Sequence, residues 1–126
     1  MKSVMIVALG GAIGSVLRYL ISGWTLQHAV DWRFPVGTFA VNIIGCLIVG
    51  ILAGLIVKQH LFSPEARLFL FAGIAGGFTT FSAFGLETFY LIRRDELLIA
   101  GSYVVSSVIV GLIVVWFGFS LIAARG

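Results

Sequence analysis

Four long apolar runs dominate the sequence and leave little chain for anything else. They cover residues 4–26, 36–57, 67–92 and 97–123 of a chain of 126 residues. Each is long enough for the roughly 20 residues with which a helix crosses a bilayer. Only 10% of the residues are charged, whereas a soluble domain carries about 25%. We therefore predict an all-α, multi-pass protein of the cell (inner) membrane, with one transmembrane domain over residues 1–126.

The placement of the positive charges gives almost no preferred orientation in the membrane. With four spans, both termini and the second loop share one side, which carries Lys2, Lys58, Arg67 and Arg125. The other side carries Arg33, Arg93 and Arg94, joined by Arg18 if its side chain snorkels that way. Because the bias of lysine and arginine sets orientation, four charges against three or four predict insertion in both directions. We expect an antiparallel, dual-topology homodimer.

The third apolar run is interrupted by small and polar residues at membrane depth. Gly73, Gly76 and Gly77 are followed by the β-branched pair Thr79 and Thr80, and this composition weakens helix propensity over about two turns. We therefore predict that the third helix is broken in mid-membrane. A break frees backbone carbonyls, which cannot stay bare in hydrocarbon, and a dehydrated cation is one way to satisfy them.

Two pairs of residues are candidates for an anion path. Thr38 and Asn42 lie four residues apart and so share a helix face. An asparagine in hydrocarbon needs partners, either a neighbouring helix or an anion, and we favour the anion path. Phe81 and Phe84 also share a face; packing is the usual role of such a pair, but the positive edges of the rings can also solvate an anion. The neighbouring hydroxyls of Thr80 and Ser82 make a polar path plausible.

Two charged residues lie within the spans. Glu87 is the only carboxylate there, and it could titrate as the coupling group of a transporter or accept hydrogen bonds beside a pore. Arg18 could serve as a membrane anchor or as an anion-attracting pore mouth. In the fourth run, a hydroxyl-rich face is expected to continue the polar path through Ser102, Tyr103, Ser106 and Ser107.

Loop residues predict where helices begin and where the membrane surface lies. Ser63 is predicted to cap the third helix, with Pro64 in its first turn. Asp95 is predicted to cap the fourth helix. Trp24, Trp32 and Phe34 are placed as an interfacial aromatic belt.

The third run also carries a family resemblance. The sequence Gly76-Gly77-Phe78-Thr79-Thr80-Phe81-Ser82-Ala83-Phe84, with Asn42 and Arg18 in the preceding spans, resembles the CrcB/Fluc family of fluoride channels over essentially all four spans. The resemblance implies a prokaryotic channel that exports toxic fluoride passively. It also implies a dual-topology homodimer with two antiparallel pores and a sodium ion at the dimer centre.

The resemblance implies roles for individual residues. Phe81 and Phe84 match the phenylalanines whose ring edges contact fluoride, and Asn42 matches the asparagine that donates to the ion. The carbonyls of Gly76 and Thr79 match those that hold sodium. The remaining path residues implied are Thr38, Glu87, Tyr103 and Ser107 along a polar track and Arg18 near a wide vestibule. This chain has Ala83 and Gly85 where the family commonly has threonine and serine, so track contacts through those hydroxyls are missing.

We therefore predict a fluoride channel that is not an enzyme and has no nucleic-acid partner. The alternative is a proton-coupled small multidrug exporter, also a four-helix dual-topology dimer. That class places an essential carboxylate in the first span, where this chain has none, so Glu87 would have to serve. A third possibility is a membrane scaffold whose polar residues only join helices.

Overall fold

Every regular element is helical in the computed structural model, which describes residues 1–28 and 33–125. The elements are α1 (Lys2–His28), α2 (Val36–Gln59), α3 (Pro64–Arg67), a π-helical segment (Leu68–Ala75), α4 (Gly76–Phe78), α5 (Phe81–Arg93) and α6 (Leu97–Ala123). Four stretches of the described chain are long and apolar enough to cross a membrane: Lys2–Thr25, Val36–Gln59, Pro64–Arg93 and Leu97–Ala123. The predicted all-α membrane fold with four spans is confirmed. Trp32 of the predicted aromatic belt lies outside the described residues.

Glycines allow the first and third spans to pack closely, with α1 lying against the π-helical segment and α4. A Cβ added at Gly10 would come within 2.6 Å of the Phe69 carbonyl oxygen, and one added at Gly14 would collide with the Ile74 carbonyl. The other glycine pair, Gly50 and Gly54, lies against α6 in the same way. Both pairs therefore serve as helix contact surfaces, as the small-xxx-small pattern predicts.

The third span is broken at Thr79 and Thr80, as predicted. Thr79 has φ −84° and ψ 157°, and Thr80 has φ −148° and ψ 118°, so both are extended. The helix resumes at Phe81, because the Thr80 hydroxyl accepts a hydrogen bond from the Ala83 N–H at 3.2 Å and caps the new helix. The π-helical turns that precede the break, over Leu68–Ala75, were not predicted from the sequence.

The short loops confirm one predicted cap and correct the other. Ser63 accepts a hydrogen bond from the Ala66 N–H at 3.2 Å, with Pro64 in the first turn of α3. The prediction that Asp95 caps α6 was wrong, because Glu96 occupies that position and makes no side-chain cap bond. Asp95 instead adopts φ 58° and donates its N–H to the Ile92 carbonyl at 3.0 Å. It ends α5 in the left-handed conformation, which aspartate tolerates.

A small core joins the second half of span three to spans two and four. Leu91 and Tyr103 are fully buried and Ala100 is buried beside them. Four partly buried residues pack around this core: Phe34, Phe39, Phe84 and Ile99. The core therefore holds α5 against α6 on the carboxyl side of the break, so that the break lies between two packed regions.

Candidate functional site

Asn42 of α2 holds the backbone at the break in the third span. Its Nδ2 donates to the Thr80 carbonyl at 3.0 Å, and its Oδ1 accepts from the Thr80 N–H at 2.8 Å. One amide thus satisfies both backbone groups of a residue that has left the helix. A primary amide has two N–H donors, and the second donates to no protein atom among the described residues. The interhelical contact considered from the sequence is present, and one donor remains for a ligand.

Arg18 of α1 reaches the other side of the break. Its Nε donates to the Gly77 carbonyl at 3.2 Å, an oxygen that would accept from the Phe81 N–H in an unbroken helix. The side chain is only partly exposed. Arg18 therefore does more than anchor α1 at the membrane surface, because it satisfies a carbonyl that the break sets free.

Two other carbonyls at the break lose their helical donors. The Thr80 N–H, which would serve Gly76 in a continuous helix, donates to Asn42 instead. The Ala83 N–H, which would serve Thr79, donates to the Thr80 hydroxyl. Within the described chain, the carbonyls of Gly76 and Thr79 accept no other hydrogen bond. Neutral carbonyl oxygens are suitable ligands for a hard cation, so these two positions fit the sodium site implied by the family resemblance.

A cavity of about 380 Å³ opens beside the break. Its wall comes from all the elements around Asn42: the α2 residues Asn42, Gly45, Cys46 and Val49, the break residues Thr79 and Thr80, Phe81 and Phe84 of α5, and Ser107, Val108 and Val115 of α6. The cavity thus collects five of the residues predicted for the path, namely Asn42, Thr80, Phe81, Phe84 and Ser107. Cys46 also lines it.

The two phenylalanines differ sharply in their surroundings. Their ring centroids are 5.7 Å apart with an angle of 43° between the planes. Phe84 is partly buried, with its ring 5.0 Å from that of Tyr103, whereas Phe81 is 84% exposed in the single chain. Phe81 therefore borders the cavity with a ring that the rest of the chain leaves largely uncovered.

Ser107 lines the cavity, and its hydroxyl oxygen is buried and has no partner among the described residues. Its Oγ is inaccessible and makes no hydrogen bond to the described residues. Most serines within helices donate to their own backbone, as Ser106 does to the Tyr103 carbonyl at 3.3 Å. Ser107 therefore stands out as a hydroxyl whose hydrogen-bonding capacity is unused in the isolated chain.

A second polar cluster surrounds Glu87, on the far side of Phe84 from the break. The Thr38 hydroxyl donates to Oε1 at 2.6 Å, and the Tyr103 hydroxyl donates to Oε2 at 2.8 Å. Thr38 is buried and Tyr103 is fully buried. Three residues that the family resemblance implied for the track are therefore in direct contact. Phe84 links them to the cavity, because its ring contacts that of Tyr103.

Two other predicted hydroxyls lie apart from the cavity wall. Ser82 is exposed, and its hydroxyl lies 3.4 Å from that of Thr80. Ser102 is also exposed. The hydroxyl-rich face expected on α6 is therefore divided: Tyr103 and Ser107 face the polar residues of spans two and three, while Ser106 bonds to its own helix.

Comparison with known proteins finds one family of similar sequences. The family model described as CrcB-like protein, Camphor Resistance (CrcB), matches residues 5–119. A fluoride-specific ion channel FluC of Methylobacillus flagellatus is 57% identical over 122 residues, which cover 97% of this chain and 95% of that protein. Proteins of the same name from Flavobacterium psychrophilum and Rhizobium leguminosarum are each 44% identical, with coverage of 94% of both chains and 98% of both chains respectively.

Proposed function

The chain belongs to the CrcB-like family, and from this membership we propose that it is a fluoride-specific ion channel that lets fluoride leave the cell passively. The relatives described above match this chain over nearly their whole length, and they are named fluoride-specific ion channels. The observation that carries the proposal for this chain is the cavity at the helix break. Its wall combines amide and hydroxyl groups with two phenylalanine rings, between spans whose other residues are mostly apolar.

Fluoride is small and strongly hydrated, so a selective path must replace its water with donors at close range. We propose that Asn42 supplies its second amide N–H, Ser107 its unpaired hydroxyl, and Phe81 and Phe84 their ring edges. The Thr80 hydroxyl caps α5 and its backbone N–H is bonded to Asn42. We therefore propose that Thr80 forms part of the cavity wall and does not donate to fluoride. Ser82 is a secondary candidate because its hydroxyl contacts that of Thr80.

The Glu87 cluster has a separate role in the proposal. A carboxylate beside an anion path repels the anion unless donors surround it, and here both oxygens accept a hydrogen bond. We propose that Thr38 and Tyr103 compensate the carboxylate and form with it the polar track beyond Phe84. Arg18 supplies the nearest positive charge to the break and favours anions there. The exporter alternative, in which Glu87 carries protons, has no support from the names of the relatives.

We further propose a structural sodium ion held by the carbonyls of Gly76 and Thr79. The two oxygens have lost their helical donors, while Arg18 occupies the carbonyl of Gly77 between them. When bound, a cation would satisfy carbonyls that hydrocarbon cannot and would add positive charge near the path. The described part of one chain offers two such ligands at the break, which suits a site completed by a second copy.

The proposed assembly is an antiparallel homodimer. Balanced lysine and arginine counts on the two sides support insertion both ways. Exposure of Phe81 in the single chain, next to the cavity, supports a second copy covering this face. A channel that passes ions down their gradient performs no covalent chemistry, so we also propose that the protein is not an enzyme.

Fluoride efflux from liposomes tests the proposal. The purified protein is reconstituted, external fluoride is followed with an electrode, and chloride efflux is measured in parallel. Rapid fluoride efflux without chloride efflux is expected. If a protein verified as folded and inserted releases no fluoride, the channel assignment is refuted, and coupled export then needs testing with a proton gradient.

A further inference from the structure

The last turn of α5 carries a second cavity, away from the helix break. It has a volume of about 380 Å³ and is lined by Tyr90, Arg93 and Arg94, which together we call the Tyr90 pocket. All three side chains are exposed. The Arg94 Nε donates to the Tyr90 carbonyl at 3.3 Å, which holds this guanidinium over the last turn. Its terminal nitrogens make no hydrogen bond to the described residues.

The arginines of the Tyr90 pocket have no acidic partner among the described residues. Glu96, two residues after Arg94, lies 3.8 Å from Arg33 instead. Among the described residues, neither Arg93 nor Arg94 lies within ion-pair distance of any carboxylate. Among the described residues, Asp95 and Glu96 in the adjoining turn stand against three arginines, Arg33, Arg93 and Arg94. The pocket therefore keeps a local excess of positive charge, with guanidinium donors of the geometry that binds phosphate through two hydrogen bonds.

The surface below the Tyr90 pocket is apolar. Leu86, Tyr90 and Arg93 follow one another at intervals of four and three residues, so they share a helix face. Leu86 and Phe89 are each 52% exposed. Along one face, the surface thus changes from apolar side chains to a tyrosine and then to arginines within about two turns. This order matches the order of acyl chain, interface and phosphate in a bilayer.

We propose that the Tyr90 pocket binds the phosphate of a membrane phospholipid. Arg93 and Arg94 contact the phosphate oxygens, the Tyr90 hydroxyl donates to the same group, and the acyl chains lie along Leu86 and Phe89. Free inorganic phosphate offers the same oxygens, but it leaves the apolar face uncovered. None of its lining residues borders the cavity at the break or belongs to the proposed fluoride path.

Native mass spectrometry of the full chain in detergent tests the proposal, with phosphatidylglycerol titrated against dioleoylglycerol, which lacks the phosphate. The variant R93Q/R94Q removes the arginines, and K58Q/R67Q removes the same charge from the other side of the membrane. Loss of two charge-assisted contacts predicts that R93Q/R94Q binds phosphatidylglycerol about tenfold more weakly or worse. K58Q/R67Q should stay within about twofold of the wild type, since neither Lys58 nor Arg67 lines the Tyr90 pocket.

Three results would overturn the lipid site. Equal weakening in both double variants would mean a general charge effect, and equal binding of dioleoylglycerol would mean that acyl chains alone are recognised. Displacement of the lipid by inorganic phosphate at matched concentration would mean a free-anion site. Tyr90→Phe provides a second variant if R93Q/R94Q does not fold: the loss of one hydroxyl donor predicts about threefold weaker binding, and unchanged binding would count against the pocket.

Discussion

Replacing Asn42 with leucine removes the two hydrogen bonds that hold the break, at nearly constant side-chain volume. Both the N–H and the carbonyl of Thr80 then lose their side-chain partner. A backbone group without a partner costs about 1–3 kcal/mol when it is buried. Thr80 is only partly buried, so we take the lower figure, about 2 kcal/mol for the two groups. For a chain of this length, each kcal/mol of lost stability lowers the melting temperature by about 3–6 °C. The melting temperature of Asn42→Leu should therefore fall by about 6 °C or more.

The matched control for this change is Cys46→Ala. Cys46 lies one turn further along α2 and lines the same cavity, but no hydrogen bond of its side chain to the break is lost. Thermal unfolding in detergent is measured for both variants, together with fluoride efflux from liposomes. Asn42→Leu should lose both stability and flux, since it removes the clamp on Thr80 and a proposed fluoride donor. A melting temperature equal to that of Cys46→Ala would refute the inference that Asn42 stabilises the break.

Three further predictions concern other parts of the structure. Glu87→Gln should keep fluoride flux within about tenfold of the wild type and independent of a proton gradient, because one neutral acceptor oxygen remains for Thr38 or Tyr103; dependence on the proton gradient in the wild type would support the exporter. Gly14→Ala should destabilise the protein by about 1–3 kcal/mol through its clash with the Ile74 carbonyl, whereas Gly11→Ala, with open space around its Cβ, should not. Exhaustive exchange of sodium for lithium should weaken the dimer or its flux, and indifference to the exchange would count against the proposed cation.

The sequence was sufficient to predict the main architecture because membrane spans follow from length and hydropathy. It also predicted the break, since glycines and β-branched threonines at Gly76–Thr80 weaken a helix whose apolar neighbours would otherwise continue it. The cap at Ser63 was also predictable from the sequence, because capping depends on residues close to one another in the chain. These features share a local cause.

Features that depend on contacts between spans were not predictable in the same way. The bond from Arg18 to Gly77 joins residues 59 positions apart, and the sequence suggested only an anchor or a pore mouth. Arg18 meets Gly77 because the small residues on α1 bring that helix against the third span. The family resemblance implied that Thr38, Glu87 and Tyr103 line one track. That Thr38 and Tyr103 both contact the Glu87 carboxylate was not predicted, since each residue lies on a different span.

Local patterns also misled where a residue had two possible uses. Asp95 precedes the apolar run of α6, so it was predicted as a cap, but the tight turn after α5 required a residue with positive φ at the same position. The π-helical segment had no sequence signal that we identified. It lies where α1 packs closely on the third span, which indicates that interhelical packing contributes to its geometry.

Fluoride efflux from liposomes containing Phe81→Ile tests most directly whether fluoride passes at the helix break. Phe117→Ile is the control, because Phe117 is an exposed phenylalanine of α6 that lies outside the cavity wall. Loss of a ring edge worth about 1.4 kcal/mol predicts about tenfold slower efflux for Phe81→Ile, with assembly unchanged, while Phe117→Ile stays at the wild-type rate. Wild-type efflux from a correctly assembled Phe81→Ile variant would contradict the proposed path.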